Sequence, residues 1–232
     1  MLTDAHLHLT ELNDAGAYPG FGSLEMVFSC TARREEWENL ASIEDARVKR
    51  FYGIHPWYAG EWDEESKEEL LSLLDADPSA GVGEIGLDSK HGGVPLQRKV
   101  FEEQLDIASE YGRTVTVHMV GCENEVLESV RGHAKGVPVI LHAFKSESYA
   151  KPFCEAGCYF SIGPRLLAKS RENVSRILSA IPGDRILVES DAPHFPKTFG
   201  GMGKMVSEMA EIMGVSEDWL ISKSYENLRR IA

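Results

Sequence analysis

Two histidines in Asp4-Ala5-His6-Leu7-His8 supply the first chemistry this chain of 232 residues offers. On an extended strand, positions i and i+2 share a face, so His6 and His8 point the same way and can address one ion. Imidazole is the commonest nitrogen ligand for divalent transition metals, and Asp4 beside the pair can orient it. A His-x-His pair alone is equally compatible with ordinary histidines near a loose terminus. The remaining candidates decide: His55, Glu84, His118 and His142 each stand in or just after a short apolar run, and Asp191 stands a little beyond another.

Those apolar runs define the elements that must position the side chains. The first strand opens at residues 4–8. Met26–Phe28, Phe51–Ile54, Gly81–Ile85, Thr114–His118, Val137–Leu141, Tyr159–Ile162 and Arg185–Val188 read as seven more. Helical spacing appears between most of them, over Arg33–Ala46, Asp63–Ala76, Pro95–Tyr111, Glu123–Val130, Tyr149–Ala156 and Arg171–Ala180, and two further helices, Lys204–Met213 and Ser216–Arg230, close the chain. Eight strands that alternate with helices are what an α/β fold of the TIM (β/α)8 barrel type requires. Active sites of such barrels lie at the carboxyl ends of the strands. His6 and His8 fall at the end of the first strand, His55 of the third, Glu84 of the fourth, His118 of the fifth, His142 of the sixth and Asp191 just past the eighth. Random scatter of polar residues rarely produces this.

Histidines and two carboxylates converging on one barrel mouth suit two divalent ions, with Glu84 as the bridge. Such a pair serves hydrolysis of phosphoesters or amides, and Asp191 is placed to bind one ion and accept a proton as general base. Imidazole and carboxylate ligands accept Zn, Mn, Ni and, more weakly, Mg.

The bulk properties agree with one large domain over residues 1–232. Hydrophobic residues make up 43% and neither a linker nor a low-complexity tract is visible. The acidic start and the lack of an 18-residue apolar stretch are expected of a cytoplasmic protein without a membrane span. Four cysteines, Cys30, Cys122, Cys154 and Cys158, contain no Cys-x-x-Cys and read as reduced, mostly buried thiols. The net charge of −13, from 24 basic and 37 acidic residues, disfavours tight duplex binding unless basic residues gather at the site. No obligate protein partner is evident.

The motifs together resemble those of the TatD family of metal-dependent hydrolases within the amidohydrolase superfamily. Asp4-Ala5-His6-Leu7-His8, Gly53-Ile54-His55-Pro56, Gly83-Glu84-Ile85-Gly86-Leu87-Asp88, His118, Leu141-His142-Ala143-Phe144 and Glu189-Ser190-Asp191-Ala192-Pro193 follow the family's order, down to Asn227-Leu228-Arg229-Arg230. The resemblance implies a TIM barrel, a divalent metal centre and deoxyribonuclease or related phosphoesterase activity, with single-stranded DNA or another phosphoester as substrate. By matching positions it implies His6, His8, Glu84, His118, His142 and Asp191 as metal ligands and places His55 near the substrate phosphate. The chain departs from the pattern at Ser89-Lys90-His91-Gly92-Gly93, at Met119-Val120 and at Ala143-Phe144-Lys145, all on the expected substrate rim.

Competing readings attach to single residues. Gly81-Val82-Gly83-Glu84-Ile85-Gly86 matches a dinucleotide-binding pattern, but Glu84 would stand where a pyrophosphate lies and no helix follows at once. Gly200-Gly201-Met202-Gly203-Lys204 is a poor phosphate loop that still offers backbone donors at a helix start. His194 beside Pro193 is a candidate substrate contact, whereas His91 and His133 read as solvated. Asp88 and Glu189 read as groups that orient ligands or satisfy loop amides, and not as ligands. Trp57, Tyr58 and Trp62 are candidates for base stacking, though aromatics near a strand end more often serve packing, and Arg165, Lys169 and Arg171 are candidates for phosphate contact against a plain solvated helix start. An amidohydrolase or lactonase acting on a small metabolite is the alternative enzyme, and a metal-retaining binding protein without turnover is a third class.

Overall fold

Strand-forming runs rich in Val, Ile and aromatic residues pair in chain order to give one parallel sheet of eight strands in the computed structural model. It describes residues 1–14, 22, 24–194 and 201–232. The strands are β1 (Leu2–Leu7), β2 (Leu24–Cys30), β3 (Val48–Tyr52), β4 (Gly81–Asp88), β5 (Val115–Val120), β6 (Val139–Leu141), β7 (Tyr159–Ile162) and β8 (Ile186–Val188). Parallel neighbours need crossovers, and these carry α1 (Leu9–Asp14), α2 (Trp37–Ala41), α3 (Glu64–Ala76), α4 (Val94–Tyr111), α5 (Glu123–His133), α6 (Glu147–Glu155), α7 (Pro164–Leu167) and α8 (Arg171–Ser179), while α9 (Met202–Met213) and α10 (Glu217–Ile231) follow the last strand. The sheet closes on itself past its last strand: the Asp191 N–H donates to the His6 carbonyl at 3.0 Å and the His8 N–H to the Ala192 carbonyl at 2.8 Å. The expected TIM barrel is therefore present, and among the described residues no helix is long and apolar enough to cross a membrane.

Because both faces of a parallel barrel strand are covered, the strands are buried almost throughout, and all eight residues of β4 are buried. The main core lies between strands and helices, where Trp37, Leu70, Leu74, Phe101, Leu105, Phe144, Phe153 and Leu220 meet Val82, Val117, Leu141 and Val188. Each such side chain contributes roughly 1.5–3 kcal/mol by leaving water. A second cluster, including Phe28, Cys30, Phe51, Ile140 and Leu187 with Leu228 and Ile231 of α10, reaches the site at Cys30.

Two expected boundaries move for local reasons. The helix read over Arg33–Ala46 is a 3-10 turn at Arg34–Glu36 followed by the short α2. The Asp45 carboxylate accepts from both the N–H and the side chain of Arg47, and this turn, whose Asp45 carbonyl accepts from the Val48 N–H, replaces further helix and starts β3 earlier than Phe51. Residues 9–14, with no helix expected, form α1 directly after the first metal-site motif.

Candidate metal centre and hydrolytic site

Helix α4 sets the site from outside the barrel through two glutamines one heptad apart on its buried face. Gln104 accepts from the Ile54 N–H (2.8 Å) and donates to the Ile54 carbonyl (3.2 Å), fixing the chain just before His55. Gln97 does the same for Asp88, with contacts of 2.8 and 3.1 Å. At the seam between first and last strands, buried Asp4 accepts from the His6 and Ser190 N–H groups, and burial raises its pKa to about 7. Asp4 thus holds the backbone beneath His6 and Asp191 rather than an imidazole.

Glu84 is the centre of the constellation. Its Oε2 lies 3.3 Å from both His6 Nε2 and His8 Nε2, and those two nitrogens are 3.2 Å from each other. Its Oε1 lies 2.7 Å from His118 Nδ1, 3.5 Å from His142 Nε2 and 3.6 Å from His55 Nε2. Burial alone would raise the Glu84 pKa, but the imidazoles of His142, His6 and His55 hold it well below the usual carboxylate range. The candidates converge in space, although Glu84 and His118 stand inside β4 and β5, which run on to Asp88 and Val120, and not at strand ends as expected: His6, Glu84 and His142 bring possible ligand atoms within 4.8 Å of one another, and so do His6, His8 and Asp191, and His55, Glu84 and His118.

Groups behind the ring fix which nitrogen faces inward. His6 Nδ1 is 3.4 Å from the buried Cys30 Sγ, His142 Nδ1 is 3.2 Å from Glu189 Oε1, and His118 Nε2 is 3.3 Å from Asp88 Oδ2. Glu189 also accepts from the Ala143 N–H, and Asp88 from Trp57 Nε1 and the Lys90 N–H. The reading of Asp88 and Glu189 as orienting groups agrees with these contacts. His55 differs from its neighbours. Its Nδ1 accepts from the Trp57 N–H at 3.2 Å, so in the neutral ring, which burial enforces by lowering its pKa well below the ordinary value, the proton sits on Nε2. His55 therefore faces the site with a donor.

The donor set fits divalent ions. Several imidazole nitrogens and a buried carboxylate converge with their lone pairs on a common centre, and His8 Nδ1 is buried without a hydrogen bond. Without ions, protons balance the charge. Burial opposes protonation of His8 and His142, yet nearby carboxylates, Glu84 for His8 and Glu189 with Glu84 for His142, raise them to about 9 and about 10. His6 is pulled the other way, by burial and the charge of His142.

Asp191 stands at the edge of the ring with φ of 54°, a left-handed conformation that a non-glycine residue adopts at a cost of about 1–3 kcal/mol. Its Oδ2 receives Arg165 Nε at 2.9 Å. Burial would raise its pKa, and the charges of His142, His6 and His8 together with that hydrogen bond lower it. At the rim, half-exposed Trp57 stacks on His91, the exposed His194 has its Nε2 3.2 Å from Glu11 Oε1, and Lys90, Lys145, Arg165 and Lys169 are all exposed. His133 is half-buried and lies 2.9 Å from Asp106. Of the glycine-rich segment, Gly200 lies outside the described residues, and α9 begins at Met202.

Glu11, Gln97 and Gln104 were not singled out from sequence, and Cys30 was read only as a buried thiol. Only the glutamines carried a signal, being polar residues seven apart among Val100, Phe101, Leu105 and Ala108.

Comparison with known proteins decides the family. The model of TatD related DNases matches residues 3–232. The chain belongs to that family. A protein of Pectobacterium carotovorum described as a 3'-5' ssDNA/RNA exonuclease is 27% identical over 196 residues, covering 77% of this chain and 75% of its own length. The human 3'-5' RNA nuclease TATDN2 is 28% identical over 220 residues, covering 83% of this chain but 28% of the human protein. A Mycobacterium tuberculosis protein described as an uncharacterized metal-dependent hydrolase is 26% identical over 166 residues, 68% of this chain and 63% of its own length. In fold, the TatD homologue YJJV of Escherichia coli superposes with a TM-score of 0.87 at 18% identity, covering 99% of this chain and 97% of that one.

Proposed function

We propose that this member of the family is a hydrolase of phosphodiester bonds that removes nucleotides from the 3′ end of single-stranded nucleic acid with two divalent ions. The observation that carries the reading is Glu84 Oε1 and Oε2 facing separate imidazole sets, His118, His142 and His55 on one side and His6 and His8 on the other. The polarity of attack follows the exonuclease description of the Pectobacterium relative.

His6, His8 and Asp191 would hold one ion, His118 and His142 the other, and Glu84 both. When bound, the ions supply Lewis-acid charge that polarises a phosphoryl oxygen and makes water more acidic. Asp191 accepts the proton of the attacking water at Oδ1, because Oδ2 is engaged by Arg165 and the carboxylate is ionised at neutral pH. His55 Nε2–H donates to a substrate phosphoryl oxygen. Glu189 and Asp88 keep His142 and His118 turned toward Glu84. Lys145, whose nearest charges include Arg165, Lys169 and Lys90, gathers positive charge beside the mouth of a chain of net charge −13. A polyanion needs such a local patch. The small-metabolite amidohydrolase is not favoured, since the Pectobacterium and human relatives are described as nucleases.

The test is release of nucleotides from end-labelled single-stranded DNA by metal-stripped protein re-supplied separately with Mg, Mn, Zn or Ni. Metal-dependent loss of 3′-terminal nucleotides is expected. A protein that binds two ions and cleaves small esters or amides but no nucleic acid overturns the reading.

A further inference from the structure

Among the described residues, Trp57 is the one large exposed aromatic, with 48% of its surface open. A tryptophan that serves packing is buried; this one is held rigidly at the surface beside the ring of imidazoles. Its Nε1–H donates at 2.8 Å to Asp88 Oδ2, the same oxygen that lies 3.3 Å from His118 Nε2. Its backbone N–H donates to His55 Nδ1, and its ring stands edge-on to His55 at 5.0 Å and to His118 at 6.4 Å. The exposed His91 lies nearly parallel to the indole, centroids 4.9 Å apart and planes 16° apart. His91 belongs to Ser89-Lys90-His91-Gly92-Gly93, where Gly92 and Gly93 take φ of 76° and 67°. These glycines let the segment turn back over Trp57.

We propose that Trp57 and His91 form a nucleobase subsite, on which the base of the terminal nucleotide stacks while its phosphodiester reaches Glu84 and Asp191. This rests on the function proposed above and deepens it, because it makes the base, and not only the phosphate, part of what is recognised. Every base has an apolar π-face, so an aromatic platform binds the strand with little sequence preference. The indole is preorganised by its hydrogen bond to Asp88, so stacking costs little ordering. Lys90, next to His91, is exposed and can follow the backbone charge.

The experiment measures Kd of the metal-loaded protein for two single-stranded oligonucleotides protected at the 3′ end by phosphorothioate linkages. One is intact; the other is abasic at its 3′ residue. For the native protein the abasic end is expected to bind about fivefold to about a hundredfold more weakly, the range that base–aromatic stacking supplies. That ratio is expected to fall to near one in Trp57→Ala, to stay largely intact in Trp57→Phe, which keeps an aromatic face, and to fall partway in His91→Ala. A ratio does not respond to general loss of folding or of metal, and this separates stacking from a structural role through Asp88. A native ratio of one, or a ratio that Trp57→Ala leaves unchanged, overturns the subsite while leaving the nuclease reading standing. If the native protein binds neither oligonucleotide, the nuclease reading fails and the subsite with it.

Discussion

Arg165 places its Nε 2.9 Å from Oδ2 of Asp191 and so ties the rim of the barrel to the carboxylate assigned the proton. Replacing Asp191 by Asn removes the base and leaves an amide that still fits the space. We expect kcat to fall by about 10²- to 10⁴-fold, the usual worth of a general base. Arg165→Gln acts through Asp191: without the guanidinium the carboxyl pKa rises, and the acid limb of the kcat profile moves to higher pH. A pH–rate profile checks both, and an unmoved acid limb in Arg165→Gln would show that Asp191 is not the group titrating there.

Metal loading exchanges ions for protons. At pH 7.5 the metal-free protein holds His8 and His142 charged, since their pKa values are raised to about 9 and about 10. Ligand imidazoles must be neutral, so loading is expected to release roughly two protons, measured by titration calorimetry in buffers of different ionisation enthalpy. The sign for stability follows from the raised values. In the metal-free protein the stabilisation from these two groups is complete below about pH 6.5, the unfolded value, and is lost as pH rises through about 9 and 10. Thermal scans should show metal-free Tm falling over that window, and a flat Tm would contradict the assignment.

Glu189 touches no ion in the assignment above, yet its Oε1 lies 3.2 Å from His142 Nδ1 and accepts from the Ala143 N–H. Ala143 itself has φ of 47°, so the turn carrying His142 depends on that hydrogen bond. Glu189→Gln is expected to weaken metal affinity about 10- to 100-fold in a chelator competition, as loss of a partner behind a ligand does.

The candidate ring of ligands was legible because a His or Glu stands in or directly after the apolar runs that become barrel strands. His8 and His142 directly follow their strands and His6, Glu84 and His118 lie inside theirs, and this placement needs no knowledge of loop paths. The contacts of Arg165 with Asp191, Glu11 with His194 and Trp57 with Asp88 were not legible as pairs, since each joins segments from different parts of the chain at the barrel mouth, whose course the pattern of apolar residues does not constrain. Arg165 and Trp57 were marked as rim residues, and their partners came only from the fold. The long helix expected over Arg33–Ala46 failed because Trp37, Leu40 and Ile43 keep helical spacing even where the Asp45 turn has ended the helix.

Gly86 offers a test of how tightly the ligands are positioned. It lies in β4 between Glu84 and Asp88 with φ of 145°, and a Cβ there would meet the backbone carbonyl oxygen of His118 on β5. Gly86→Ala must push β5 away or bend β4, and overpacking of this kind costs about 1–3 kcal/mol. Urea unfolding should show that loss. His118 should also shift relative to Glu84, so metal content is expected to fall at protein concentrations where the variant remains folded.

Salt dependence tests the basic rim in a chain of net charge −13. Partial burial of its ammonium together with the charges of Arg165, Lys169 and Lys90 already lowers the Lys145 pKa. Such crowding of like charge disfavours the free protein and is relieved when a phosphate arrives. If three of these groups neutralise phosphates, log Kobs for a protected single strand should fall against log salt with a slope of about −2, at about −0.7 per contact. Lys145→Gln is expected to reduce the slope by about 0.7 and to weaken binding to all sequences alike. A slope unchanged in that variant would place the backbone track on another part of the rim.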